Sequence, residues 1–153
     1  MTAARKVLVS ACLLGRECRH DGRAKTDRVL ARELEREDLE PVAFCPEEHG
    51  GLGTPRPSAW IERESAAAVL DGRDRVIAST GADVTAEFVR GAEGALDVCR
   101  AHGIARAYLK SRSPSCGSVD THVGGVLVEG RGVTAELLHR NGIETISIAG
   151  LRE

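Results

Sequence analysis

No stretch of this sequence is long and apolar enough to cross a bilayer. The apolar run in MTAARKVLVSACLLG is broken at once by Arg16 and Glu17, well short of the roughly 20 residues that a spanning helix needs. It also lacks a small-residue cleavage site after a long apolar stretch, so it does not read as a signal peptide. Charge of one sign is missing too. The balance of 21 basic and 23 acidic residues leaves a net charge of −2, which excludes the basic field that a duplex-binding protein presents to phosphates. Internal repeats and low-complexity linkers are absent. So are HExxH, GxSxG, paired CxxC, a GxxxxGK[ST] loop and a GxGxxG opening a helix. The five histidines have no regular metal spacing, and the odd number of cysteines, five, argues against a complete set of disulfides. Reduced thiols in the cytoplasm are the expectation.

What is present suits one core. A chain of 153 residues that is 42% apolar has the size and composition of one globular domain, expected to span 1–153. Four apolar runs read as buried parallel strands: Lys6–Ala11, Pro41–Phe44, Ala105–Leu109 and Glu144–Ile148. Helical patterns lie between them. Thr26 or Asp27 is placed to cap a helix through Asp38, with Val29, Leu30 and Leu34 inward. A longer helix is expected from Asp83 or Thr85 to just before Gly103, burying Val89, Ala92, Leu96 and Cys99 at helical spacing. Thr134 is the expected cap of a third helix that buries Leu137 and Leu138 and stops at Gly142. Strands alternating with helices predict an α/β, Rossmann-like single domain: a mostly parallel sheet with helices on both faces. The segment from Pro46 to Ala82 is less regular. Arg75–Ala78 reads as a short strand, and Gly125–Glu129 as a segment pairing near the sheet edge.

The cysteines follow this plan. Cys12 ends the first strand (VLVSACLLG), Cys45 the second (VAFCPE), and Cys116 follows the third (YLKSRSPSCGS). Ligands of an open parallel sheet gather beyond the carboxyl ends of its strands, so three thiols distant in sequence are expected to converge. Cysteine also packs as a small hydrophobe, and Cys99, on a helical stripe, is assigned to packing. Three thiolates point to a soft metal. Zinc would want a fourth ligand, for which His49 is placed, four residues after Cys45. An iron–sulfur cube accepts three cysteines and leaves one iron open. Spacing alone does not choose between them. Cys18, six residues after Cys12, is near enough to join; a fourth thiolate would saturate a cube, so Cys18 is read as lying beside the ligands.

Polar residues surround these thiols in sequence. Glu47 follows Cys45 closely and is placed to orient water or act as a general base, whereas Glu48 reads as a solvated loop acid. Ser113, in SRSPSCG, has a hydroxyl placed to donate to a bound base or water. Arg56, between prolines in GTPRP, and Ser115 are candidate substrate-binding residues, although a guanidinium held in that way also suits a carboxylate partner.

At these motifs the sequence resembles the DUF523 family, which includes the thiouracil desulfidases (TudS-type). VSACLLGRECRHDG, FCPEEHGGLGTPRP, GADVTAEFVRGA, LKSRSPSCGS and VEGRGVTAELLHRNGI look like its successive blocks, running in order from Val9 to Ile143. The resemblance implies an oxygen-sensitive [4Fe-4S] cluster held by Cys12, Cys45 and Cys116, with thiocarbonyl sulfur bound at the open iron and no net redox change. It implies catalytic roles for Glu47 and Ser113. A thiolated nucleobase is the expected small-molecule partner, with neither duplex nucleic acid nor membrane involved. Related domains that act on thiolated transfer-RNA nucleosides usually carry an additional domain, which this chain does not show, so a free base is expected. Two other readings stand beside this one: a cluster enzyme acting on another thioamide, and a non-catalytic metal or redox sensor with reactive thiols.

Overall fold

The computed structural model describes residues 5–16, 21, 27–110, 115–117, 120–124 and 126–147. Along the chain come β1 (Arg5–Ser10), a 3-10 turn (Ala11–Leu14), α1 (Arg28–Arg36), β2 (Leu39–Phe44), α2 (Pro46–His49), β3 (Ala59–Ile61), α3 (Ala66–Leu70), β4 (Val76–Ala78), α4 (Thr85–His102), β5 (Arg106–Leu109), β6 (Asp120–Val123), β7 (Val126–Glu129), α5 (Val133–Arg140) and β8 (Glu144–Ser147).

The expected parallel strands form one sheet in the order β2-β1-β5-β8, every neighbouring pair parallel. Successive side chains of a strand face opposite ways, and here both faces are covered. Val7, Val9 and Tyr108 pack with Leu30 and Leu34 of α1. Leu8, Ala107 and Leu109 pack on the other side with Ala95, Leu96 and Cys99 of α4 and with Ala135 and Leu138 of α5. Burying a side chain of this size contributes about 1.5–3 kcal/mol, so β1, with Val7, Val9 and Leu8 at most 2% exposed, is the anchor of the sheet. β2 departs from the expectation of full burial. It is an edge strand in which Pro41 is exposed and Val42 and Phe44 are half-buried; at an edge a proline's missing N–H leaves no ladder bond unmade.

Helix ends follow local chemistry. Asp27 caps α1 by accepting from the Leu30 N–H at 2.9 Å, and Thr26 lies outside the described residues. Asp83 accepts from the N–H and hydroxyl of Thr85 at the start of α4, and Gly103 ends that helix with a left-handed φ of 65°. On the expected inward stripe Ala92, Leu96 and Cys99 are buried, Val89 is half-buried, and Phe88 carries the burial one position earlier. In the third helix Leu138 is fully buried and Leu137 half-buried.

Two expectations are corrected. Thr134 does not cap α5; the cap position is Gly132, and Thr134 lies in the first turn. Arg75–Ala78 does form the expected short strand, β4. The pairing of Gly125–Glu129 is different: its described residues form β7, which with β4, β3 and β6 makes a second sheet of order β4-β3-β6-β7 and not the edge of the first. β3 and β6, too short to announce themselves, run parallel to each other; β4 and β7 flank them antiparallel. Beneath this sheet Ile61 and Val76 pack with Val69 of α3, Phe88 and Ala92 of α4 and Val133 of α5. The two sheets therefore share α4 and α5.

Candidate active site

Three chain segments leave the carboxyl edge of the parallel sheet carrying thiols. After β1 the chain tightens into the 3-10 turn that holds Cys12, 6% exposed, and Gly15, with φ 99°, ends the turn. After β2, Cys45 takes the N-cap position of α2, whose first residue is Pro46. The segment after β5 carries Cys116, also 6% exposed. Burial pushes the Cys116 thiol up to about 12; a hydrogen bond from the Ser10 hydroxyl opposes this, while the charges of Glu47, Cys12 and Cys45 push it further up. Those five groups therefore share one electrostatic neighbourhood. Cys99 stands apart: it is 1% exposed on α4, its thiol raised to about 11 by burial alone, and it packs as expected. Among the described residues no three of His, Cys, Asp and Glu close on a single metal ion. A cube spreads its cysteines over separate irons, and three soft thiols from three segments, two of them buried, are a donor set that fits such a group.

The Cys116 segment is docked on the start of α5. The carbonyl of Ser115 accepts from the Thr134 and Ala135 N–H groups at 2.9 and 3.1 Å, and the Gly117 carbonyl accepts from Gly132 N–H at 2.7 Å. The first N–H groups of a helix have no partner within it, so the thiol-bearing segment supplies the cap that Thr134 was expected to provide. The Ser115 side chain is fully buried and its hydroxyl lies 2.8 Å from that of Thr134. That placement fixes the segment to the helix. Ser10, at the end of β1, accepts from Lys110 N–H at 3.0 Å and so ties the ends of β1 and β5 together beside Cys116.

α2 lies directly on α4. A Cβ added at Gly50 would sit 1.9 Å from the Glu87 carbonyl oxygen, one at Gly91 2.1 Å from that of Pro46, and one at Gly94 2.4 Å from the His49 ring. Neither Gly50 (φ −70°) nor Gly91, inside α4, needs unusual backbone angles; what they supply is the missing side chain that lets backbones touch. Arg90 clasps the seam, donating from Nε and Nη2 to the Gly50 carbonyl at 3.1 and 2.9 Å. His49 is an exposed residue whose ring packs over Gly94 and lies 5.0 Å from the Phe44 ring.

From this fixed platform Glu47 meets Arg56. Its Oε2 accepts from Arg56 Nε at 2.9 Å and lies 2.8 Å from Nη2, with the two side chains 7% (Arg56) and 19% (Glu47) exposed. Arg56 Nη1 donates to the Gly53 carbonyl at 3.1 Å and to Thr54 Oγ1 at 3.0 Å. Thr54 in turn donates to Glu48 Oε2 at 2.5 Å. Arg16, just past the Cys12 turn, forms an ion pair with Glu48 Oε1 at 2.8 Å, though without the alignment of a hydrogen bond. The adjacent acids Glu47 and Glu48 are thus both engaged by arginines, and Glu48 is no solvated loop acid.

The family model of 2-thiouracil desulfurase matches residues 7–149. The chain belongs to the 2-thiouracil desulfurase family. It is 35% identical over 144 residues to the uncharacterized protein YbbK of Bacillus subtilis (strain 168), covering 92% of this chain and 94% of that protein. It is also similar to a solved structure of the [4Fe-4S]-dependent thiouracil desulfidase TudS, with 44% identity, a TM-score of 0.80, and coverage of 97% of this chain and 93% of that one. The architecture expected from the family, a mostly parallel sheet enclosed by helices, is the one present.

Of the residues singled out in the sequence of this desulfurase-family chain, Cys12, Cys45, Cys116 and Glu47 come together, with Arg56 on Glu47 and Ser115 behind Cys116. Cys18 and Ser113 lie outside the described residues. Sequence reasoning did not single out Ser10, Arg90 or Gly91. Only Gly50 and Gly91 left a trace, as glycines inside otherwise helical or helix-ending segments, where a glycine often marks close backbone approach.

Proposed function

We propose that this chain is a [4Fe-4S]-dependent, non-redox desulfidase that converts thiouracil and water to uracil and hydrosulfide. The observation that carries the reading is that Cys12, Cys45 and Glu47, at or just past strand ends, act on the buried Cys116, all within the residues that the family model matches. Cys12, Cys45 and Cys116 would hold the cluster. When bound, it supplies a Lewis-acidic iron that no fourth protein ligand caps. Glu47, anchored on α2, accepts a proton from the water that replaces sulfur on the ring carbon. Ser113 positions the base or that water. The whole chain acts as one domain, on a free thiobase. Among the described residues no helix is long and apolar enough to cross a membrane, and reduced thiols and an oxygen-sensitive cluster fit the cytoplasm, which we propose as its compartment.

The test is hydrosulfide release from 2- and 4-thiouracil under strict anaerobiosis, with iron and sulfide measured on the same reconstituted sample. Glu47→Gln should keep its iron and its visible spectrum and still bind thiobase. It should turn over about a hundred- to ten-thousand-fold more slowly, the usual contribution of a general acid–base group. A cluster-loaded wild type that releases no hydrosulfide from either base would overturn the assignment. Full activity in Glu47→Gln would remove this residue from the reaction.

A further inference from the structure

Arg56 stood out in the sequence as a residue for the substrate, yet its polar atoms are turned inward. All three of its nitrogens have partners in the protein: Nε donates to Glu47 Oε2, Nη2 forms an ion pair with the same oxygen, and Nη1 donates to the Gly53 carbonyl and Thr54 Oγ1. With its side chain 7% exposed, the guanidinium has its plane fixed by the GTPRP loop. Among the described residues, both contacts to the Glu47 carboxylate fall on Oε2, which leaves Oε1 for another partner.

We propose that Arg56 is a positioning residue, whose planar fork holds Glu47 Oε2 so that Oε1 is presented to the attacking water. This rests on the reading of Glu47 as the proton acceptor. A carboxylate on a flexible side chain rotates about its last bond, and an Nε–H donor with the charged Nη2 beside it on the same oxygen restrains that rotation. Lysine carries the same charge without the fork, so the two residues are not equivalent here. The anchor is itself anchored. Thr54 accepts from Arg56 and donates to Glu48, and Glu48 pairs with Arg16 beyond the Cys12 turn. Glu47 is therefore held in register with two of the three thiol-bearing segments.

The decisive experiment is a double-mutant cycle between Arg56→Lys and Glu47→Gln in the reconstituted enzyme, with iron content, KM and kcat read together. Arg56→Lys should keep its iron, its cluster spectrum and a KM near that of the wild type. Its kcat should fall on the order of a hundredfold, the usual effect of misplacing a reacting group by about an ångström. In the Glu47→Gln background the same change should cost less than about twofold, because the group it positions is already gone. A raised KM with additive losses would make Arg56 a substrate contact and overturn the proposal. Iron loss as complete as in Cys12→Ser would overturn it too, making Arg56 a brace of the cluster segments. A second cycle needs neither cluster nor turnover. In the apo-protein Arg56→Met should lower the melting temperature, and adding Glu47→Gln should restore part of the loss, since it removes the carboxylate left unpaired. Independent effects in that cycle would deny the coupling itself. Should the wild type release no hydrosulfide, the functional reading fails, and the apo cycle still decides whether the two residues act as a pair.

Discussion

The parallel sheet and the mixed sheet are held by different forces. In β1, Val7 and Val9 are fully buried, and the strand is enclosed by α1 on one side and by α4 and α5 on the other. In β7, by contrast, Val126, Leu127 and Val128 are 63%, 40% and 37% exposed, and the strand stands at the outer edge of its sheet. Apolar enclosure makes the first sheet a rigid base from which thiols project. The second sheet relies more on polar ties, foremost the buried Asp74, whose carboxylate accepts from the N–H groups of Arg63, Glu64, Ser65 and Arg75. The difference teaches where chemistry can be placed. Groups that must meet within an ångström sit on elements fixed by packing, and the less enclosed half serves by covering α4 and α5, on which α2 and the Cys116 segment are docked.

The comparison is broken most directly at the cysteines. Serine at Cys12, Cys45 or Cys116 should abolish iron retention. Cys18→Ser should leave it largely intact. Cys99, buried at 1% exposure on α4 and carried by a helix and not by a strand end, should tolerate alanine with full iron loading and a stability loss of about 1 kcal/mol, an ordinary value for a point substitution. Iron analysis after anaerobic reconstitution, paired with thermal melting, reads both effects. Equal iron loss at Cys99 and Cys116 would show that enclosure alone, not placement at the strand ends, governs the cluster.

A smaller effect is expected at the seam between α2 and α4. Gly91→Ala puts a methyl group 2.1 Å from the Pro46 carbonyl oxygen. Backbone atoms cannot rotate away from such a contact, so α2 must shift, taking Cys45 and Glu47 with it. Overpacking of this kind typically destabilises by about 1–3 kcal/mol. Turnover should fall by more than iron content does, because misplacing a reacting group by about an ångström costs on the order of a hundredfold in rate, whereas the Cys45 thiolate is shifted and not removed. Gly53→Ala is the control: nothing lies within 4 Å of an added methyl there. If Gly91→Ala and Gly53→Ala behave alike, the seam does not position the site.

Much of the first sheet and of its thiols was legible because the signals are local. Val7 to Val9 is continuously apolar, Asp27 stands just before a helical stripe, and Gly103 stands just after one; each is interpretable from its neighbours in sequence. Even the convergence of Cys12, Cys45 and Cys116 needed only the rule that parallel strands end on the same side. What escaped depends on partners far along the chain. Thr134 looked like a cap, but Ser115, nineteen residues earlier, caps the helix instead. The sequence allowed Arg56 a carboxylate partner, but which one, Glu47 nine residues away, is visible only once α2 turns back over the loop. β3 and β6 are strands of three and four residues, below the length at which alternation can be told from chance.

Asp74 gives the mildest and most informative way to sharpen the comparison, since it tests the mixed sheet alone. Burial works to raise its pKa, but the four backbone N–H groups outweigh it and hold the carboxyl below its ordinary value. A carboxylate whose folded pKa is depressed contributes stability above its unfolded pKa, near 4, and this contribution is lost as pH falls through the folded pKa. Asp74→Asn keeps the shape but loses the charge, and its amide nitrogen cannot accept a bond where the second oxygen did. The apo-variant should therefore melt below the wild type at neutral pH, and the gap should narrow as the wild type is acidified through and below the carboxylate range. At neutral pH the variant should still load iron and release hydrosulfide, because the thiol-bearing segments rest on the parallel sheet and on helices that retain their contacts with it. A gap that widened on acidification would contradict the depressed pKa. Iron loss matching that of Cys116→Ser would show that the two sheets are one mechanical unit, with the polar ties of one as necessary to the site as the apolar enclosure of the other.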